Sequence, residues 1–154
     1  MAMGMTEKNN FELIQFHIFT AWLNFKEMPT ILKFLTFHGL MAVIALPVSI
    51  IPFDNFEVNG VKITFRQFWA DGYGAFTIFI GFAFPACAIL FLKKHKYARL
   101  AYITTWIVGS TLSVLIMPGN RNAIVEYSLI IGVPVLLIAS YLYLRDSVRK
   151  YFEL

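Results

Sequence analysis

The chain has 154 residues, of which 58% are hydrophobic, 17% aromatic and 14% charged. A soluble domain of this size is about half apolar and about a quarter charged, so this chain has too few charges to coat a globule, and its mean hydropathy of +0.67 makes a bilayer its natural solvent. Disorder is excluded by the hydrophobicity and a disulfide-stapled fold by the single cysteine, Cys87. The net charge of +4 lies beside apolar runs, where it reads as a topology signal and not as a nucleic-acid footprint.

Residues 1–10 have no apolar core, so no cleavable signal peptide is expected. Residues 11–27 are apolar but too short and too polar to span. At 100° per residue Phe11, Ile14, Ile18, Ala21, Trp22 and Phe25 share one face, with Glu12, His17, Thr20, Asn24 and Glu27 mostly opposite. The pattern predicts a helix in the membrane interface or beneath a bundle, ended by Pro29.

A transmembrane helix needs about 20 mostly apolar residues. Four stretches qualify: about 34–53, 73–92 and 100–117, which lack Asp, Glu, Lys and Arg, and 124–144, which has only Glu126. Lys8, Lys26, Lys33, the basic run Lys93-Lys94-His95-Lys96-Tyr97-Ala98-Arg99, Arg145, Arg149 and Lys150 all lie on one side of this arrangement. Only Lys62, Arg66 and Arg121 lie on the other. That asymmetry predicts cytoplasmic termini in a plasma (inner) membrane. In the tail, Asp146 with Lys150 and Arg149 with Glu153 make i,i+4 pairs, which predicts that the last span continues as a helix beyond the membrane.

The first outer loop carries the clearest local signal. Residues 56–65 read as a β-hairpin around Asn59-Gly60, because a type I′ turn needs positive φ twice. Pairing outward sets Val58 opposite Val61, Glu57 opposite Lys62 and Phe56 opposite Ile63. Phe56, Val58, Val61, Ile63 and Phe65 then form an apolar face, and Arg66–Tyr73 reads as an aromatic turn back to the membrane. An isolated hairpin is marginal in water, so this face needs the bundle, the membrane surface or a partner. With Asn59, Gly60 and Trp69 it is the candidate partner-binding surface. Four spans with a small sheet on the first outer loop resemble the claudin arrangement in topology alone. Claudins carry a Trp and two Cys in that loop, whereas this loop has Trp69 and no cysteine, and no function follows from the resemblance.

Ala101, Thr105, Gly109 and Ser113 recur at four-residue spacing, and Ser128 and Gly132 do so in the last span. Small ridges let helices approach closely in lipid, so these positions are expected to pack spans three and four together, or to form a homo-oligomer seam. Pro47, Pro85 and Pro134 lie inside spans. His38 is the one readily titratable side chain well inside a span and is a candidate functional residue. Its expected state is a neutral ring bonded to Thr36 or to a backbone carbonyl, the alternative being pairing with His17 around a haem. Asp54, Glu57, Asp71, Arg66, Arg121 and Glu126 share the outer side, but their spacing fits no nucleophile, zinc or phosphate motif. Arg121 and Glu126 are expected to pair with each other.

The sequence therefore predicts an all-α four-transmembrane-helix bundle, one integral membrane domain over residues 1–154, with an N-terminal interfacial helix and a small extracytoplasmic hairpin. No catalytic residue, metal or cofactor is assigned. The expected role is contact with another membrane or extracytoplasmic protein, or with a second copy, in a lipid setting and without nucleic acid. A small channel or carrier is the first alternative, and a membrane enzyme using the outer carboxylates the second.

Overall fold

Proline and glycine set the punctuation of this chain. In the computed structural model the described residues are 15, 18–52, 56–58, 60–116 and 121–153. Helix α1 covers residues 18–27; the part of the amphipathic segment before it, His17 included, falls outside the described residues. Pro29 is the N-cap of α2 (Thr30–Met41), which tightens into a 3₁₀ turn at Ala42–Ile44 and resumes as α3 (Ala45–Ile50). Pro47 accounts for the turn. Its ring crowds the carbonyl of Val43 and it has no N–H to offer that carbonyl. The expected first span of 34–53 is thus Thr30–Ile50. The helix begins earlier because a lysine near a helix end, here Lys33, can direct its amine toward water.

The chain then forms β1 (Phe56–Val58) and β2 (Val61–Ile63), an antiparallel pair with Phe56 opposite Ile63, Glu57 opposite Lys62 and Val58 opposite Val61. That is the register expected from the turn. Gly60 supplies a φ of +79°, open to glycine at no steric cost. The expected aromatic turn is instead a helix, α4 (Phe65–Ala70). Thr64 and Gln67 form a reciprocal capping box, the Thr64 hydroxyl accepting from the Gln67 N–H at 3.2 Å and Gln67 Oε1 accepting from the Thr64 N–H at 2.9 Å. Phe65 therefore belongs to the helix and not to the hairpin.

Three helices among the described residues are long and apolar enough to cross a membrane: Thr30–Ile50, α5 (Tyr73–Leu92) and α6 (Ala98–Ile116). This is the pattern of an integral membrane protein. Helix α7 (Arg121–Leu144) follows, with a described apolar stretch at Gly132–Leu144. The helix then breaks at Arg145, and α8 (Asp146–Glu153) is a separate element, so the tail does not simply extend the last long helix. Beyond the break Val148 and Tyr151 are buried.

The main seam is between α2–α3 and α5. A Cβ on Gly39 would lie 2.9 Å from the Phe84 carbonyl oxygen and 3.0 Å from Ala88 Cβ, and one on Gly81 would lie 2.6 Å from Leu46 Cδ2. The two backbones meet because neither glycine has a side chain. A buried cluster of Met28, Leu32, Leu35, Phe91, Tyr102, Leu142, Val148 and Tyr151 ties the helices together near the α5–α6 loop. Around it Asn24 Nδ2 donates to the Leu92 carbonyl at 2.7 Å, Lys94 pairs with Glu27 at 2.8 Å, and Arg99 lies 5.0 Å from the Tyr143 ring and 5.3 Å from Phe152. Lys94 and Arg99 of the loop run are thus engaged with other helices, and Lys96 lies 4.8 Å from the ring of its neighbour Tyr97. Helix α1 turns Asn24 and Phe25 toward this cluster and leaves Ile18, Phe19, Trp22 and Leu23 exposed.

Tyr151 fastens α8 to this end. Its hydroxyl donates to the Phe91 carbonyl at 3.0 Å and its ring lies 5.0 Å from Lys94 Nζ. Burial pushes the hydroxyl's pKa up, and Glu27 adds in the same direction. The docked state thus prefers the neutral phenol. Its contribution is complete below about pH 10, the ordinary tyrosine value, and is lost as the pH rises beyond that. Spin labels at Ser147 and Lys96 should report a constant short separation up to about pH 9 and a widening distribution above about pH 10. Tyr151→Phe should loosen α8 at neutral pH through the lost hydrogen bond and abolish the alkaline change.

Candidate functional site

Two regions gather the residues singled out from the sequence. The first is the outer cap formed by β1, β2 and α4. Phe56 stacks on Phe68 with ring centroids 4.4 Å apart, and Phe65 lies 6.0 Å from Phe56 and 6.4 Å from Phe68. Phe68 in turn is 6.3 Å from Tyr73 at the start of α5. Trp69 donates its indole N–H to the Ser49 carbonyl at 3.1 Å, and its ring covers Gly74, where a Cβ would sit 2.5 Å away. So Phe56, Phe65 and Trp69 are spent on fixing the cap to α3 and α5. Ile63 is half-buried, whereas Val61 is 62% exposed beside exposed Gly60 and Lys62. The Val58 side chain and Asn59 lie outside the described residues. On its outer edge β2 pairs with no described strand.

The second region lies near mid-height of the three long helices. His38 on α2 stacks on Trp106 of α6, centroids 6.0 Å apart and planes 13° apart, and meets Phe84 of α5 edge-on at 5.5 Å. The expected bond between His38 and Thr36 is absent. The Thr36 hydroxyl donates to the Leu32 carbonyl at 2.8 Å and contacts Met28 Sδ at 3.4 Å, because a threonine in a helix is best placed to reach the carbonyl four residues back. His38 borders a cavity of about 240 Å³ whose other walls include Phe76, Ile80, Trp106, Gly109 and Ser113.

The small ridge of α6 turns toward α5. Thr105 Oγ1 is 3.4 Å from Cys87 Sγ, and a Cβ on Gly109 would meet Phe79 at 3.7 Å. Ala101 packs on the buried cluster and Ser113 borders the His38 cavity. Ile107, Ser110, Thr111 and Val114 of α6 border a cavity of about 320 Å³ with Gly132 and Val135 of α7. A Cβ on Gly132 would meet nothing within 4 Å. The side chains of Ser128, Arg121 and Glu126, and all of Asp54, lie outside the described residues. Glu57, Asp71 and Arg66 are exposed and make no ion pair with one another, and no group of three or more His, Cys, Asp or Glu could hold a metal among the described residues.

The capping box could have been read from Thr64-Phe65-Arg66-Gln67, and the α5 side of the seam from the small residues Gly81 and Ala88 at seven-residue spacing. No known protein family, curated protein or solved structure matches the chain.

Proposed function

We propose that this is a four-span protein of the plasma membrane, with both termini in the cytoplasm, that acts by contact through its outer cap and performs no catalysis of its own. One observation carries the reading. Phe56, Phe65, Phe68 and Trp69 hold a hairpin that would be marginal alone firmly against the bundle, while Val61 is exposed and β2 pairs with no other strand among the described residues. A strand held ready in this way can accept an extended segment of a partner by β-augmentation, main-chain hydrogen bonds giving affinity and Val61 with Lys62 giving selectivity. Ordering the strand beforehand removes part of the entropic penalty of binding. The exposed apolar residues of α6 and α7, among them Leu115, Leu136 and Leu137, suit hydrocarbon contact.

The test is purification in mild detergent from native membranes, followed by intact-complex mass spectrometry. A stoichiometric second protein is expected with the wild type. Val61→Asp with Lys62→Glu should remove it, because both side chains are exposed and neither makes one of the aromatic contacts that anchor the cap. Retention of the second protein by that variant would defeat the cap as the contact surface, and a bare monomer from native membranes would defeat the contact role.

A further inference from the structure

We infer that the cavity beside His38 is a binding site for a neutral, lipid-soluble ring compound bearing a carbonyl or hydroxyl oxygen, a quinone or a phenol. The inference is independent of the cap and rests on three observations. The first is an unsatisfied polar group. His38 lies near mid-height of Thr30–Ile50, makes only ring contacts, to Phe84 and Trp106, among the described residues, and is exposed. A ring nitrogen left without a partner at that depth is costly, because hydrocarbon offers none. Its neutral form carries one donor and one acceptor, so a carbonyl or a hydroxyl on the occupant would satisfy it.

The second is the rest of the polar lining. Ser110 Oγ donates to the Trp106 carbonyl at 2.6 Å and Ser113 Oγ to the Ser110 carbonyl at 2.8 Å. Their protons are used, and the lone pairs that remain can only accept. One imidazole and two accepting hydroxyls match a small neutral oxygen function, whereas an anionic headgroup would find no cation here.

The third is size and shape. The cavity measures about 240 Å³ and its walls include Phe76, Phe84 and Trp106. An engineered apolar cavity of about 150 Å³ takes up benzene, so this one has room for a ring with short substituents. Its aromatic walls favour a flat occupant through edge and offset contacts. A phospholipid headgroup is disfavoured because it would have to leave the interface to reach this depth.

The test uses the full chain in mild detergent, with decyl-benzoquinone and 4-decylphenol as separate probes. Binding is read by intact-complex mass spectrometry and by quenching of Trp106, taken as the difference between wild type and Trp106→Phe. Saturable one-to-one uptake of at least one probe is expected. It should weaken at least tenfold in His38→Leu, which removes the imidazole at similar bulk, and in Ser113→Phe, which fills the cavity and leaves His38 in place. Val61→Asp, remote from the cavity, should bind as wild type does. Preference for the quinone would mean that the imidazole donates, and preference for the phenol that it accepts; either supports the site. Non-saturable partitioning equal in all proteins would overturn the proposal, as would uptake that a folded His38→Leu or Ser113→Phe variant keeps in full. Should His38→Leu fail to fold, Ser113→Phe decides alone.

Discussion

Replacing Phe91 by alanine is expected to give the largest loss of stability of any single truncation among the described residues. Phe91 has no exposed surface, and its ring lies 5.2 Å from Tyr102 of α6 and 6.0 Å from Phe152 of α8. The carbonyl of the same residue receives the Tyr151 hydroxyl. One side chain thus joins three helices. Phe→Ala in a buried core costs about 3–5 kcal/mol. Between helices in lipid the hydrophobic part of that figure shrinks, because the separated helices are already solvated by hydrocarbon, and the lost dispersion contacts remain. The expected cost is therefore near the lower end, about 3 kcal/mol. In detergent the melting temperature should fall by about 6–12 °C, and limited proteolysis should cut first near Arg145, where α7 and α8 part. Phe91→Leu should recover more than half of the loss. A melting curve for Phe91→Ala that overlays the wild type would mean that this cluster does not hold α5, α6 and α8 together.

The features legible in the sequence are those written in local spacing. Asn59-Gly60 between alternating apolar residues fixes a register, and the pairs Phe56–Ile63, Glu57–Lys62 and Val58–Val61 follow. Long windows without Asp, Glu, Lys or Arg mark helices, and three of them meet the length and apolarity needed to cross a membrane. Helix α4 was missed because its composition, Phe65-Arg66-Gln67-Phe68-Trp69-Ala70, is as suited to an interfacial turn as to a helix, and the one local signal that separates them is the Thr64–Gln67 capping-box spacing. The separation of α8 from α7 was hidden for a different reason. Pairs at i,i+4, such as Arg149 with Glu153 at 3.8 Å, support a helix wherever it points, and the contacts that bury Val148 and Tyr151 are tertiary. The setting of His38 is tertiary throughout. It depends on Phe84 and Trp106 from two other helices, and no spacing within one segment encodes it.

Gly39→Ala is the second substitution with a large expected effect, and it is informative because it adds one methyl group to a helix. In an open helical position that change is favourable by about 1 kcal/mol, since alanine loses less backbone freedom than glycine. At position 39 the new Cβ would meet the Phe84 carbonyl oxygen at 2.9 Å and Ala88 Cβ at 3.0 Å. The first obstacle is backbone and cannot rotate away, so α2 and α5 must part. Overpacking of this kind costs about 1–3 kcal/mol. Gly132→Ala supplies the control, because a Cβ there meets nothing within 4 Å, and it should leave the melting temperature unchanged or raise it slightly. Gly81→Ala should fall between the two, its nearest obstacle being the movable end of Leu46 at 2.6 Å. The same displacement carries His38, the residue before Gly39, away from Trp106 and Phe84. Gly39→Ala should therefore weaken uptake of the ring probes along with stability, and Gly132→Ala should alter neither. Equal melting shifts for Gly39→Ala and Gly132→Ala would show that the α2–α5 approach is not the seam that orders the bundle. Reduced stability with undiminished probe binding would separate the seam from the His38 cavity, and the three-helix geometry assigned to that cavity would fall.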